Sequence, residues 1–179
     1  MSGLQAIADR VEIEALRGEF TDAVMMRDYD RVASLFTPDG ALRMPNVPVE
    51  AVGPEQIRAW GRRALALWDF FVQTTHPGTI QLDGDTASGR AYMCEVIRLR
   101  NGHSELNYAI YHDHYQRTPE GWKFAERVYE IRYLDESPLS GSAPPAAGNE
   151  PIADYHTDPG RQSQTSSPDR STGTDTGST

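Results

Sequence analysis

Cysteine and lysine are almost absent from this chain: Cys94 and Lys123 are the only examples in 179 residues. A lone cysteine excludes an internal disulfide framework and any zinc site built on several thiolates. Positive charge is also short, with Lys+Arg 17 against Asp+Glu 26 and a formal net charge of -9. That balance repels phosphate backbones and anionic lipids, so neither nucleic acid nor a membrane surface is an expected partner. No apolar run approaches the roughly 20 residues that a membrane-spanning helix needs. The first twenty residues, MSGLQAIADRVEIEALRGEF, are acidic and amphipathic, unlike a signal or transit peptide, and the expected location is the cytoplasm. GxGxxG, P-loop, GxSxG and HExxH motifs are missing too, which removes most support for dinucleotide chemistry, NTP hydrolysis and the common nucleophilic hydrolases. No cofactor is expected.

Hydrophobic residues make up 38% and aromatics 9%, and the mean hydropathy of -0.58 is low for a globular chain. The dilution comes from one end. From Ser137 to Thr179 the sequence is mostly Ser, Thr, Gly, Pro, Asp and Gln, with Leu139, Ile152 and Tyr155 as its only large apolar side chains. So few cannot offset the entropy of ordering that length. The expected organisation is one folded domain over residues 1–136 and a disordered Ser/Thr/Pro/Gly-rich tail over residues 137–179.

Within the domain, Ile7, Val11, Leu16, Phe20 and Val24 recur near helical spacing with charged residues between them, which predicts a first amphipathic helix. Asp28 or Asp30 suits the cap of a short second helix through Val32, Leu35 and Phe36, ended by a turn at Pro38-Asp39-Gly40. A third helix is expected after Gly53, opened by Pro54 and Glu55, with an apolar stripe of Ile57, Trp60, Ala64, Leu67 and Trp68. From about Phe71 the period becomes strand-like. Four runs follow, Thr74 to Leu82, Ser88 to Arg100, Ser104 to Thr118 and Trp122 to Leu134, divided by turn residues of which Asn101-Gly102 is the strongest type I′ signal. Helices first and strands afterwards argue an α+β fold, a curved antiparallel sheet wrapped over N-terminal helices.

Few residues carry an obvious chemistry. Cys94 reads as a small buried hydrophobe. In Tyr111-His112-Asp113-His114-Tyr115, strand alternation puts the two histidines on one face and the tyrosines and Asp113 on the other, and without a third ligand beside the histidines no metal site is expected. His76, at a strand start in Thr75-His76-Pro77-Gly78, has an imidazole suited to proton transfer if it faces a cavity, and is otherwise a core or rim histidine.

The strings AVMMRDYDRVASLF, TTHPGTIQLDGDTASGRAY and above all YHDHYQRTPEGWKFAERV resemble the SnoaL-like branch of the NTF2-like superfamily over about residues 4–134. The last is similar to the end of the hexachlorocyclohexane dehydrochlorinases, with scytalone dehydratase and bile acid 7α-dehydratase as more distant relatives. The resemblance implies a cone-shaped barrel with a deep pocket between sheet and helices. It puts His76 at the position of a catalytic histidine and Arg127 at that of a pocket arginine, while the acidic partner of the histidine falls on Met25, which cannot accept a proton. Asp22 and Asp28, one turn to either side, are the possible substitutes.

If Arg127 faces the pocket, alternation brings Tyr129 and Ile131 with it. The resemblance adds Asn107, Ala109, Tyr111 and Asp113, together with Tyr92, Cys94 and Val96, while Glu95 and Glu126 are expected to point outward. Asp113 is either catalytic or paired with Arg127 or Arg117. The function so implied is a cofactor-independent lyase, dehydratase-like, or an isomerase acting on a small hydrophobic molecule. His76 would be the general base, with Arg127 and Tyr111 stabilising developing charge. A polyketide cyclase and a ligand-binding module without chemistry are the alternatives. Large side chains on both faces of the last two strands imply a homodimer or homotrimer.

Overall fold

Long strands whose side chains alternate between buried and exposed form one six-stranded mixed sheet in the computed structural model, which describes residues 3–141. The expected tail lies outside the described residues apart from residues 137–141. The elements run α1 (Gly3–Met25), α2 (Tyr29–Ser34), β1 (Phe36–Met44), β2 (Val49–Val52), α3 (Gly53–Leu67), β3 (Trp68–Asp83), β4 (Thr86–Leu99), β5 (Ser104–Thr118) and β6 (Gly121–Asp135). Their order across the sheet is β2-β1-β6-β5-β4-β3, antiparallel except for the parallel pair β1 and β6. No helix among the described residues is long and apolar enough to cross a membrane.

Helix α1 lies on the concave face, turned differently from the expectation. Ile7 and Val11 are 61% and 63% exposed, while Asp9, Ile13, Leu16, Arg17, Phe20, Ala23 and Val24 are buried. At 3.6 residues per turn Asp9 falls on the side of Leu16 and Phe20, and Ile7 and Val11 fall opposite. The sheet supplies partners for the two buried charges. Asp9 accepts from Gln5 Nε2 at 3.0 Å and Trp122 Nε1 at 3.2 Å and pairs with Arg117 at 2.8 Å. Arg17 donates to the Tyr115 hydroxyl at 2.8 Å and the Thr79 carbonyl at 2.9 Å. Gly89 makes the second contact possible, since a Cβ there would sit 2.2 Å from the Thr79 oxygen and 2.5 Å from Arg17 Nη2.

The turn chemistry also redistributes. Pro38-Asp39-Gly40 does not end the chain's direction but forms a bulge inside β1, where Phe36 pairs with Phe124 and Ala41 with Glu126. The two-residue hairpin is Gly84-Asp85, joining Asp83 to its partner Thr86 with Gly84 at φ 61°. Between β4 and β5 the chain needs Arg100 to His103, and only Gly102 there has positive φ. The type I′ geometry expected at Asn101-Gly102 is therefore replaced by a longer loop in which the Asn101 side chain accepts from the His103 amide at 3.0 Å. Trp68, expected to close the stripe of α3, opens β3 instead.

Arg117 is the main reason that the Asp9 carboxyl is held down at about 2, with the Gln5 and Trp122 donors adding to it against the cost of burial. A carboxyl with a folded pKa below its unfolded value of about 3.9 contributes stability that is present above that value and lost as pH falls through the folded pKa. The thermal midpoint of the parent is therefore expected to exceed that of Asp9→Asn above pH 4, with the gap narrowing towards pH 2. Melting curves across that range check this, and a gap that stays constant contradicts it.

Candidate active site

One end of the cone is filled and the other is hollow. At the filled end β4 carries small residues, Ala87, Gly89 and Ala91, and the Arg17 side chain of α1 comes close to Gly89. At the other end the sheet and α3 diverge around a cavity of about 480 Å³. Its walls are mostly apolar, with Phe20 and Val24 from α1, Trp60 and Ala64 from α3, Ile97 from β4 and Ile131 from β6, and Glu50, Arg63 and Glu105 bring charge to the lining. Trp68 and Phe71 stack in parallel at 4.1 Å along one side. The β1–β2 loop contributes Val47 and Pro48, and Asn46 ties it down by accepting from the Ile131 amide at 3.1 Å.

Polar groups concentrate on the floor. Gln73, Glu95 and Asn107 are register partners across β3, β4 and β5, so they form one row pointing inward. Their exposures are 4%, 7% and 2%. Glu95 Oε1 accepts from Gln73 Nε2 at 2.8 Å and Glu95 Oε2 from the Tyr129 hydroxyl at 2.6 Å. Asn107 Nδ2 reaches the Tyr129 oxygen at 3.5 Å, and Gln73 Nε2 also reaches the Tyr111 hydroxyl at 3.3 Å. Burial pushes the Glu95 carboxyl above its ordinary pKa, outweighing the donors from Tyr129, Gln73 and Asn107 that favour the ionised form. Burial likewise holds the protons of Tyr111 and Tyr129 well above the usual phenolic range, reinforced by the Glu95 charge. A carboxyl tuned towards neutrality at the floor of an apolar chamber is equipped for proton transfer.

Deeper still, Asp113 and Arg127 form a bidentate ion pair, both bonds 2.8 Å and both side chains 0% exposed. The Arg127 guanidinium lies 4.0 Å from the Tyr111 and Phe124 rings and 4.4 Å from Phe20. Burial works against its charge, yet Asp113 outweighs burial and keeps the pKa above the ordinary value. Tyr115 completes the cluster, donating to Asp113 at 2.6 Å.

Asn107, Tyr111, Tyr129 and Ile131 line the cavity. Ala109 is on the same face but lies outside the cavity wall, and Arg127 and Asp113 are sealed beneath the floor, with Tyr111 above the arginine. Strand β4 is one residue out of phase with the expectation: Ala91, Met93, Glu95 and Ile97 face inward, leaving Tyr92, Cys94 and Val96 on the outer face. A one-residue slip turns over the whole strand. The charged pair Arg90 and Arg98 on the Tyr92 face was the available signal. Glu126, by contrast, points outward as expected and bonds Arg43 at 2.8 Å.

His76 is exposed on the outer face, paired in register with Tyr92, whereas Thr75 beside it turns inward to the Thr21 hydroxyl. Met25 does not reach the cavity wall, and its sulfur accepts from the Gln73 amide at 3.1 Å. Neither candidate substitute carboxylate enters the chamber. Asp22 binds Arg31 at the surface, and Asp28 caps α2 by accepting from the Arg31 amide at 3.0 Å. Among the described residues no group of three metal-ligating side chains converges.

A helix-capped curved sheet around a largely apolar chamber with a few buried polar groups defines an α+β cone of the NTF2-like type. Residues 5–128 match the SnoaL-like domain, and the chain belongs to that family. It is 31% identical over 155 residues to gamma-hexachlorocyclohexane dehydrochlorinase of Sphingobium indicum, covering 81% of this chain and 94% of that protein. An uncharacterised Mycobacterium tuberculosis protein is 26% identical over 135 residues, 72% of this chain and 88% of the other. The crystal structure of LinA superposes with a TM-score of 0.73 at 26% identity, over 81% of this chain and all of that one.

For an acid whose folded pKa is raised, stability is fully present below the unfolded value, about 4.3 for Glu, and is lost as pH rises through the folded pKa. Ionised Glu95 therefore weighs on the fold, and Glu95→Gln is expected to melt higher than the parent at pH 8 and level with it at pH 4. Equal melting at both, or a parent that gains on the variant as pH rises, contradicts this.

Proposed function

We propose that the protein is a cofactor-independent lyase that eliminates a leaving group from a small ring-shaped hydrophobic molecule, with Glu95 as its base. The buried carboxyl of raised pKa on the cavity floor carries this reading. In the step, the Glu95 carboxylate takes a proton from a ring carbon. The C–H electron pair becomes the new double bond, and the neighbouring carbon loses its leaving group with that bond's electrons. Tyr111 lines the same chamber, and its oxygen accepts from Gln73, which leaves its hydroxyl hydrogen for a ligand. It is placed to hydrogen-bond the departing group. The dehydrochlorinase likeness supports elimination as the reaction class.

Glu95 takes the place of the expected histidine base because His76 lies across the sheet from the chamber. The second reading, a binding module without chemistry, is favoured by Met25, which leaves the helix side of the chamber without a carboxylate. The outer face supports self-association, since Tyr92, Tyr108 and Tyr133 are 41%, 52% and 53% exposed there.

Incubation with ring alcohols and ring chlorides, γ-hexachlorocyclohexane among them, is expected to release water or chloride with appearance of the alkene. Glu95→Gln should lower the rate by about 10²–10⁴-fold, the usual worth of a positioned base. The parent's rate should rise as pH passes the raised Glu95 pKa. Tight binding of these rings with no product supports the binding module, and an unchanged rate in Glu95→Gln rejects Glu95 as the base. For the outer face, sedimentation equilibrium at micromolar concentration should show a dimer or trimer that Tyr108→Lys dissociates, and a parent monomer refutes the self-association.

A further inference from the structure

We infer that the chamber takes rings carrying a protonated amine and that Glu105 holds the ammonium, which deepens the elimination reading and rests on the same chamber. Phe71, Ile97 and Glu105 are register partners across β3, β4 and β5, one row farther from the filled end than Gln73, Glu95 and Asn107. Both rows line the cavity. The Glu105 side chain is 27% exposed, so it is open to a ligand where the floor is nearly closed. No lysine or arginine pairs with it among the described residues. Its charged neighbour is His103, whose Nε2 lies 3.5 Å away and closer, at 3.1 Å, to Glu136. One imidazole cannot neutralise both carboxylates. Glu95 has no cation either, since Gln73, Tyr129 and Asn107 are neutral donors.

The other charges of the lining do not reverse this sign. Glu50 is tied to Arg43, which also bonds Glu126, and Arg63 is exposed on α3, away from the sheet that carries Glu95 and Glu105. Aromatic faces attract an ammonium and a ring alike, and Phe71, stacked with Trp68, stands at the other end of the row of Glu105. Glu95 and Glu105 are diagonal neighbours on one face, about 7–8 Å apart along the sheet, a separation that one ring with its amine spans. An amine held by Glu105 therefore sets the ring against the proposed base. It also readies that base. The charge of Glu105 adds to burial in holding the Glu95 carboxyl above its ordinary pKa, and an ammonium cancels that repulsion and draws Glu95 towards its ionised form. The remaining ionisable groups around Glu95 are Tyr111, Tyr129 and the mutually paired Asp113 and Arg127, whose charges the ligand leaves unchanged.

The test compares tetralin, aminotetralin and tetralin carboxylate near neutral pH, which share a bicyclic skeleton and bring no charge, a positive charge or a negative one. Titration followed by the fluorescence of Trp60 and Trp68, with calorimetry as a check, should give aminotetralin about a tenfold advantage, the combined worth of a half-exposed ion pair and a cation–π contact. Glu105→Gln should remove most of that advantage while leaving tetralin affinity unchanged. Carbon NMR of the Glu95 carboxyl should show its pKa lowered in the aminotetralin complex and not in the tetralin complex, and this decides alone if the variant fails to fold. Equal affinity for the three ligands overturns the inference, as does an amine advantage that survives in folded Glu105→Gln. Preference for the carboxylate also overturns it and assigns the chamber to Arg63. Amine selectivity without any turnover would leave this inference standing and sink the elimination reading. Turnover that depends on Glu95 without amine selectivity would do the reverse.

Discussion

The Asp113–Arg127 pair is the interaction on which the interior is arranged. Two opposite charges at the centre of a sheet have lost their water and are tolerable only while each holds the other, so removing either costs about 3–5 kcal/mol. The pair locks β5 to β6 at one register position and sets the arginine among three aromatic rings. Tyr115 and Arg17 extend the network to α1, which fixes the roll of that helix about its axis. Tyr111 packs against the guanidinium and also lines the chamber. The ion pair is thus a foundation for the site without being part of its surface.

How much of this was legible in the sequence depended on whether local chemistry or a distant partner decided the outcome. Strands β5 and β6 were readable because strong turn signals bound runs of aromatic and β-branched residues, and α3 because Pro54 and Glu55 mark its start. Strands β1 and β2 were hidden by Pro38, Gly40, Pro45 and Pro48, which punctuate a sheet edge where a bulge and a loop accommodate them. The roll of α1 was misjudged because burial of Asp9 and Arg17 makes sense only once Arg117, Trp122 and Tyr115 arrive from a hundred residues away. Glu95 was missed for the same reason. A glutamate reads as a surface residue until Gln73, Asn107 and Tyr129 surround it.

In the elimination reading proposed above, the base stands on the sheet and not on helix α1. The resemblance calls for a carboxylate on α1 at the position of Met25, where the structure has a sulfur capping the Gln73 amide. The buried carboxyl on the chamber floor, Glu95, stands one strand in from the sheet edge, held by side chains on three strands. A sheet-borne carboxyl is held more rigidly than one at a helix end next to a loop, and its depth is what raises its pKa.

The parallel pairing of β1 with β6 bears on how the protein acquires its shape during synthesis. Phe36 meets Phe124 and Leu42 meets Arg127 across more than eighty positions of chain. A ribosome releasing this polypeptide exposes α1, β1 and β2 long before their neighbour exists, and closing so long a loop is a slow entropic step. The nascent half must therefore wait with its apolar faces uncovered, in the condition that most invites a chaperone. The final hairpin, β5 with β6, joins neighbours in sequence, and β6 presents the edge along which β1 pairs.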